Sequence, residues 1–363
     1  MKVLSSLALA LLSAGAMSSA HALTPVTSFG PDLVPLTGNT SGPEDWRFLP
    51  GQSFNGVPGA LDGVAMLNFK THGGRNYACS GSLLAGGQYV LTAAHCADDF
   101  VSMQVDFGWA GGASKVSRTV AAGNAIVHSG WTGRLDTGAD IALLRLDRAV
   151  TTIKGYQLST TLDVGKDILV AGYGTTQVGN APDDTNWNDW KFGHYAWNRI
   201  DVASQTFHKE LGTVFKGWYN PENFKYGVTY MSDFDSGLDD NNTLQIFADG
   251  IGTALWSSDR GHGKDEGMIA AGDSGGGDFV WDGTQFLLTG VHSWGWEACT
   301  RFGLDCDAAY GNSASYGDLS GSTAVYSHLN WIRQQMGIPE PGSAALAALA
   351  LFGLGAVRRR QRG

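Results

Sequence analysis

Three short stretches hold residue types that can do chemistry together. The first is Ala271-Gly272-Asp273-Ser274-Gly275-Gly276-Gly277, one hydroxyl set among glycines with a carboxylate directly before it. A serine hydroxyl is a poor nucleophile at neutral pH. It needs a base to take its proton and donors for the oxyanion that forms. Flanking glycines let the backbone bend sharply and let a substrate carbonyl approach main-chain N–H groups. Taken alone, the stretch reads equally well as a Gly-rich turn between strands.

The matching base would be an imidazole, with a carboxylate to hold its tautomer. Of the nine histidines, His95 stands out in Leu91-Thr92-Ala93-Ala94-His95-Cys96, where a strand ends in small residues that leave room around the ring. His128 and His292 lie in apolar strand contexts and read as core or edge histidines. The carboxylate is Asp140, which opens the apolar run Ile141-Ala142-Leu143-Leu144, where burial of an acid requires partners.

The elements that must position these residues read as short strands. The chain has 363 residues, 43% of them hydrophobic, and 51 glycines without a collagen-like period, a pattern of turn-rich all-β structure. Strands are expected at 64–69, 77–84, 88–92, 101–107, 117–127, 141–146, 168–171, 278–281, 285–293 and 324–327. An amphipathic helix is expected over 328–336, with Leu329, Ile332 and Met336 on one face. Residues 175–264, rich in Trp, Asn, Asp and Gly, read as a loop-rich insertion. Within it Asp233, Asp235, Asp239 and Asp240 fit no defined calcium loop and read as a solvated acidic turn.

Both ends have their own character. Residues 1–22 read as a signal peptide: Lys2, an apolar run from Leu4 to Ala16, and the small-x-small site Ala20-His21-Ala22. Residues 23–58 read as a leader or propeptide-like loop segment. Export favours disulfides over a metal role for Cys79, Cys96, Cys299 and Cys306, which allow three pairings. The net charge is −10, and −14 without the two ends (19 basic against 33 acidic residues), which excludes the basic surface that nucleic acid requires. After Pro339-Glu340-Pro341 an apolar run reaches Val357, followed by Arg358-Arg359-Arg360, the pattern of a membrane-retention element.

Thr92-Ala93-Ala94-His95-Cys96, Asp140-Ile141-Ala142-Leu143-Leu144 and Gly272-Asp273-Ser274-Gly275-Gly276, in that order, resemble the chymotrypsin-like (trypsin-fold) serine proteases. Cys79-Ser80-Gly81-Ser82-Leu83-Leu84, Gly172-Tyr173-Gly174, Ser293-Trp294-Gly295 and Ala324-Val325-Tyr326 are similar to further motifs of that family. The order His, Asp, Ser separates the chain from the α/β-hydrolases. The resemblance implies an all-β fold of two six-stranded antiparallel β-barrels with a C-terminal helix, the long loop insertion lying in the second barrel. It implies a protease domain over 59–338, with Ser274 as nucleophile, His95 as general base and Asp140 orienting it. The N–H groups of Gly272 and Ser274 would form the oxyanion hole, and Ser293 to Gly295 would pair with substrate. It also implies a Cys79–Cys96 bridge, which leaves Cys299 for Cys306. Met268 and Ala324, with Gly295, would shape a pocket for neutral, medium-sized apolar P1 side chains.

The chain departs from the family in lacking an Ile-Val-Gly-Gly start freed after Lys or Arg. The equivalent region runs from Phe54 to Gly63, which leaves the partner of Asp273 open, an internal one included. Residues 339–363 separately resemble the PEP-CTERM sorting signal, which implies a bacterial exported protein, processed by an exosortase-type membrane enzyme and touching the membrane only through this tail. The expectation is a monomeric exported serine endopeptidase acting on protein or peptide without cofactor. The alternative is a non-catalytic trypsin-fold surface-binding or matrix protein.

Overall fold

The computed structural model describes residues 43–176, 178–179, 189–309 and 314–338. The expected signal peptide, most of the leader and the whole 339–363 tail lie outside them. The chain divides into two units at Ser327 and His328.

In chain order the first unit carries β1 (Arg47–Phe48), β2 (Ser53–Phe54), β3 (Val57–Pro58), β4 (Val64–Lys70), β5 (Asn76–Leu83), β6 (Tyr89–Thr92), β7 (Ser102–Phe107), β8 (Val116–Ala121), β9 (Ala125–Val127) and β10 (Ala142–Arg145). There follow β11 (Gln157–Leu158), β12 (Asp167–Gly172), β13 (Gly193–Arg199), β14 (Val202–Ala203), β15 (Thr229–Asp233), β16 (Gly277–Trp281), β17 (Phe286–Trp296) and β18 (Leu319–Ala324). Helices α1 (Ser204–Val214), α2 (Thr243–Ile251) and α3 (Ala298–Phe302) lie among them, and α4 (Leu329–Gln335) belongs to the second unit.

The strands form two main sheets, antiparallel except where β11 pairs with β17. One has seven strands in the order β8-β7-β4-β5-β6-β10-β9. The other has nine, in the order β1-β13-β12-β16-β17-β18-β15-β14, with β11 attached to β17. Each sheet carries more strands than the six expected. β4 is buried at Val64 to Leu67 and Phe69, as a central strand covered on both faces should be. The edge strand β8 alternates instead, with Val120 alone fully covered.

Four expectations about local structure change. Residues 117–127 form two strands, because Ala122-Gly123-Asn124 makes a 3-10 turn between them. The strand expected at 324–327 is β18, which begins five residues earlier and is buried throughout; its Leu-Ser-Gly-Ser-Thr-Ala sequence has no apolar alternation to betray it. Residues 43–58, expected as loop, add β1 to the edge of the larger sheet and close the β2–β3 hairpin. The expected loop-rich insertion 175–264 supplies β13 and β15 to the same sheet together with α1 and α2. Phe207 and Leu211 of α1 pack with Leu244 and Phe247 of α2, Phe302 of α3 and the Cys299–Cys306 pair. The spacing of Phe207 and Leu211 is helical, yet the many Asn, Asp and Trp residues around it obscured the period.

Candidate active site

His95 sits on the 3-10 turn Ala94–Cys96 that follows β6. The neighbouring Cys96 is bridged to Cys79 on β5, and Cys299 is bridged to Cys306. His95, Cys79 and Cys96 lie close enough to surround an ion, but both sulfurs are committed to the bridge and offer no thiolate.

Asp140 lies just before β10 and is fully buried. Three donors converge on its carboxylate. The His95 backbone N–H reaches Oδ1 at 3.0 Å, His95 Nδ1 reaches Oδ2 at 2.8 Å, and the Ser293 hydroxyl donates to Oδ2 at 2.6 Å. The hydroxyl of Thr323 on β18 donates to the Asp140 carbonyl at 3.0 Å, tying this loop to the second sheet. With the proton on Nδ1 facing the carboxylate, Nε2 of the neutral ring is left as the basic atom. Burial lowers the affinity of His95 for a proton. The Asp140 charge and hydrogen bond, with the Asp98 charge behind them, outweigh that and raise its pKa above the ordinary value.

The Ser274 loop, which leads into β16 of the larger sheet, meets the Cys79–Cys96 bridge next to His95. The Ser274 carbonyl accepts from Ser80 N–H at 2.8 Å and lies 3.6 Å from Cys96 Sγ. The Ser80 hydroxyl donates to the Gly272 carbonyl at 3.0 Å and accepts from Tyr173 N–H at 2.8 Å. Gly272 and Gly275 have φ of +94° and +80°, and a Cβ on Gly275 would fall 2.0 Å from Thr92 Oγ1. Both positions therefore require glycine. The N–H groups of Asp273, Gly275 and Gly276 all donate to carbonyls, of Ala270, His292 and Asp273 respectively. Among the described residues those of Gly272 and Ser274 find no acceptor, so two alternate donors of the loop are left over.

Asp273, directly before the serine, is fully buried. Its carboxylate accepts from Gly174 N–H at 2.7 Å and Ala270 N–H at 3.1 Å. Burial pushes its pKa up to about 7, against the pull of His292 and the two amides. Gly172 and Gly174 make room for it: a Cβ on either would fall within 2.4 Å of a carboxylate oxygen.

Ser293, Trp294 and Gly295 stand near the end of β17, where Trp294 and Gly295 pair with β18 on one side and Ser293 falls at a shift in the register. β16 pairs with β17 only as far as Val291, so among the described residues no strand covers the opposite edge beyond it. Met268 and Ala324 do not share a cluster. Met268 packs with Phe234 and Ala314, whereas Ala324 packs with Ile168, Tyr230 and Ile269. The acidic turn splits as well. Asp239 is exposed and ion-paired to Arg260, but Asp233 and Asp235 are buried, which corrects the solvated reading for those two.

Sequence reasoning placed His95, Asp140 and the Ser274 loop. It gave no role to Ser80, Gly174 or Asp278, and read His292 as a core histidine. Ser80 and Gly174 stood inside motifs already quoted.

The family model described as Trypsin matches residues 55–194, a span that includes His95 and Asp140 and ends before Ser274. Among solved structures, the chain is similar to HL collagenase with a TM-score of 0.52 and 21% identity, covering 81% of this chain and 98% of that one. It is similar to neuropsin, a serine protease expressed in the limbic system of mouse brain, with a TM-score of 0.50 and 20% identity, covering 80% and 98%. These likenesses establish the trypsin fold.

Proposed function

We propose that the protein is a serine endopeptidase that cleaves peptide bonds through an acyl-enzyme on Ser274. The observation that carries this reading is the Asp140–His95 pair set beside a serine loop with two unused N–H groups. In the reaction His95 Nε2 takes the Ser274 proton as Oγ attacks the scissile carbonyl. The tetrahedral oxyanion then accepts from Gly272 N–H and Ser274 N–H. His95 returns the proton to the leaving amine, and water repeats the sequence to release the acid. Asp140 holds the ring and stabilises the imidazolium formed in each step. The open edge of Ser293 to Gly295 supports substrate binding as an added strand.

Several finer features belong to the same reading: export directed by residues 1–22, sorting through residues 339–363 by an exosortase-type enzyme, and a preference for neutral apolar P1 residues. Two disulfides are in keeping with export. Among the described residues no helix is long and apolar enough to cross a membrane.

Covalent labelling by a fluorophosphonate tests the activity. Wild-type protein should label and Ser274→Ala should not. A folded wild type that takes no label would favour the non-catalytic binding protein. A peptide library cleaved best at Arg or Lys would overturn the P1 preference.

A further inference from the structure

His292 on β17 has no solvent exposure, yet both of its ring nitrogens face acceptors. Nδ1 lies 3.1 Å from the carbonyl oxygen of Asp273, and Nε2 lies 3.0 Å from Asp278 Oδ1 on β16. Carbonyl and carboxylate oxygens accept, so each nitrogen carries a proton and the ring is an imidazolium paired with Asp278. The backbone of His292 grips the same loop, its N–H donating to Gly276 O at 3.1 Å and its carbonyl accepting from Gly275 N–H at 2.8 Å. The fit is close: a Cβ on Gly276 would fall 2.7 Å from Nδ1, and one on Gly290 2.2 Å from Asp278 Oδ2.

The carbonyl that His292 holds belongs to the Asp273–Ser274 peptide, whose N–H is that of Ser274. In a planar trans peptide the C=O and N–H point in opposite directions. The carbonyl is held by the imidazolium together with Gly276 N–H, which donates to it at 2.8 Å, and this turns the Ser274 N–H the other way, where among the described residues it is left without an acceptor. A charged donor on the carbonyl also polarises the peptide and strengthens its N–H as a donor.

We infer that His292, held doubly protonated by Asp278, is the positioning residue that fixes the Asp273–Ser274 peptide with its N–H in the oxyanion hole. The His292 charge also favours the ionised form of the Asp273 carboxyl, which is otherwise held by two backbone amides. His292 touches no substrate, being buried. Against the opposing effect of burial, the charges of Asp278 and Asp273 raise its pKa above the ordinary value, in keeping with the imidazolium.

The inference rests on the reading of Ser274 as nucleophile, and its tests separate the two. In His292→Phe and Asp278→Asn, with active sites counted by fluorophosphonate, kcat per site should fall about 10²-fold, the scale of losing one oxyanion donor, while KM stays within about threefold. A peptide aldehyde, whose adduct carries the oxyanion, should lose affinity by a similar factor while a product peptide does not. A purely structural role would lower the number of active sites and leave kcat per site unchanged. If both variants retain kcat per site within about twofold of wild type, the inference fails. If His292→Phe does not fold, Asp278→Asn and His292→Gln carry the same comparison. If wild-type protein neither labels nor cleaves, the serine protease reading fails instead. The imidazole nitrogens of His292 then still decide the clamp by 15N NMR at pH 7, two protonated nitrogens supporting it and a neutral ring overturning it.

Discussion

Ser293 donates its hydroxyl to the same oxygen of Asp140 that receives His95 Nδ1, at 2.6 Å against 2.8 Å. Two segments far apart in sequence thus converge on one buried carboxylate oxygen, and Oδ1 is occupied by the His95 backbone N–H. The Asp140–His95 geometry is set from both sheets at once.

Asp140→Asn should therefore do more damage than Ser293→Ala. An amide in place of the carboxylate presents a donor to Nδ1 and favours the wrong tautomer; the corresponding change in a Ser-His-Asp protease costs about 10⁴ in kcat. Ser293→Ala removes one of three donors to a charge, worth about 1.5–3 kcal/mol of stability, and leaves the tautomer in place. Thermal melts and kcat on the two variants check the order. Equal losses of kcat would show that Ser293 does more than hold the carboxylate.

The acid limb of the pH profile reports His95. On the proposed mechanism the neutral ring is the working base, so kcat/KM should rise with pH through a midpoint above the ordinary histidine value of 6.5. Asp98, whose carboxylate accepts from Trp131 Nε1 at 2.7 Å, adds negative charge near the ring. Asp98→Asn removes that charge and should move the midpoint to lower pH. A shift upward would assign the limb to another group.

Stability should fall from pH 5 to pH 8. Burial pushes the pKa of Asp233 up to about 6 and that of Asp235 up to about 11, and raises Asp201 and Glu266 as well. Each folded carboxyl then keeps a proton that the unfolded chain releases near pH 4. Stability contributed by the protonated acids is complete below the unfolded value and declines as pH rises towards the folded one. The Asp235 Oδ1 atom is buried without a hydrogen-bond partner, so nothing offsets its charge there. Asp235→Asn should raise the melting temperature at pH 8 and change it little at pH 5. Loss of stability at both pH values would mean that the carboxylate is ionised and needed.

The three motifs proposed to be catalytic stand out in the sequence because each concentrates its constraints locally. His95 must follow a strand, Asp140 must open one, and Ser274 must sit among glycines that tolerate positive φ. The fold was legible where strands are apolar, as in β4 and β10. It was opaque at β18, where every side chain is buried and all but Leu319 are small or polar, and at β13 and β15, whose burial depends on partners remote in sequence. The His292–Asp278 pair was opaque for the same reason. Each residue alone looks like an ordinary member of a buried strand, and only the register of β16 beside β17 brings them together. The pocket is harder to read because its lining comes from several elements: Met268 packs with Phe234 and Ala314, and Ala324 with Ile168, Tyr230 and Ile269.

The segment before the β2–β3 hairpin carries the last prediction. Arg47 donates through Nε and Nη2 to the two oxygens of Asp189 at 2.6 and 2.7 Å, and Asp189 also meets His194 Nε2 at 2.9 Å. Its guanidinium lies 4.0 Å above the Phe192 ring. Phe48 is buried against Gly193, where a Cβ would fall 2.2 Å from the ring, and packs edge-on to Tyr173 at 5.4 Å. Tyr173 stands beside Gly174, whose N–H holds Asp273. Removing Pro43 to Phe48 as a propeptide would strip an edge strand and open a hole beside the chain that supports the Ser274 loop. The mature protein is therefore expected to begin at or before Pro43, and N-terminal sequencing of secreted protein checks this. A start between Leu49 and Gly63 would overturn it and return the freed-amine route to consideration. Phe48→Ala should cost about 3–5 kcal/mol by leaving a cavity, and Arg47→Ala about 1.5–3 kcal/mol by leaving Asp189 with His194 alone.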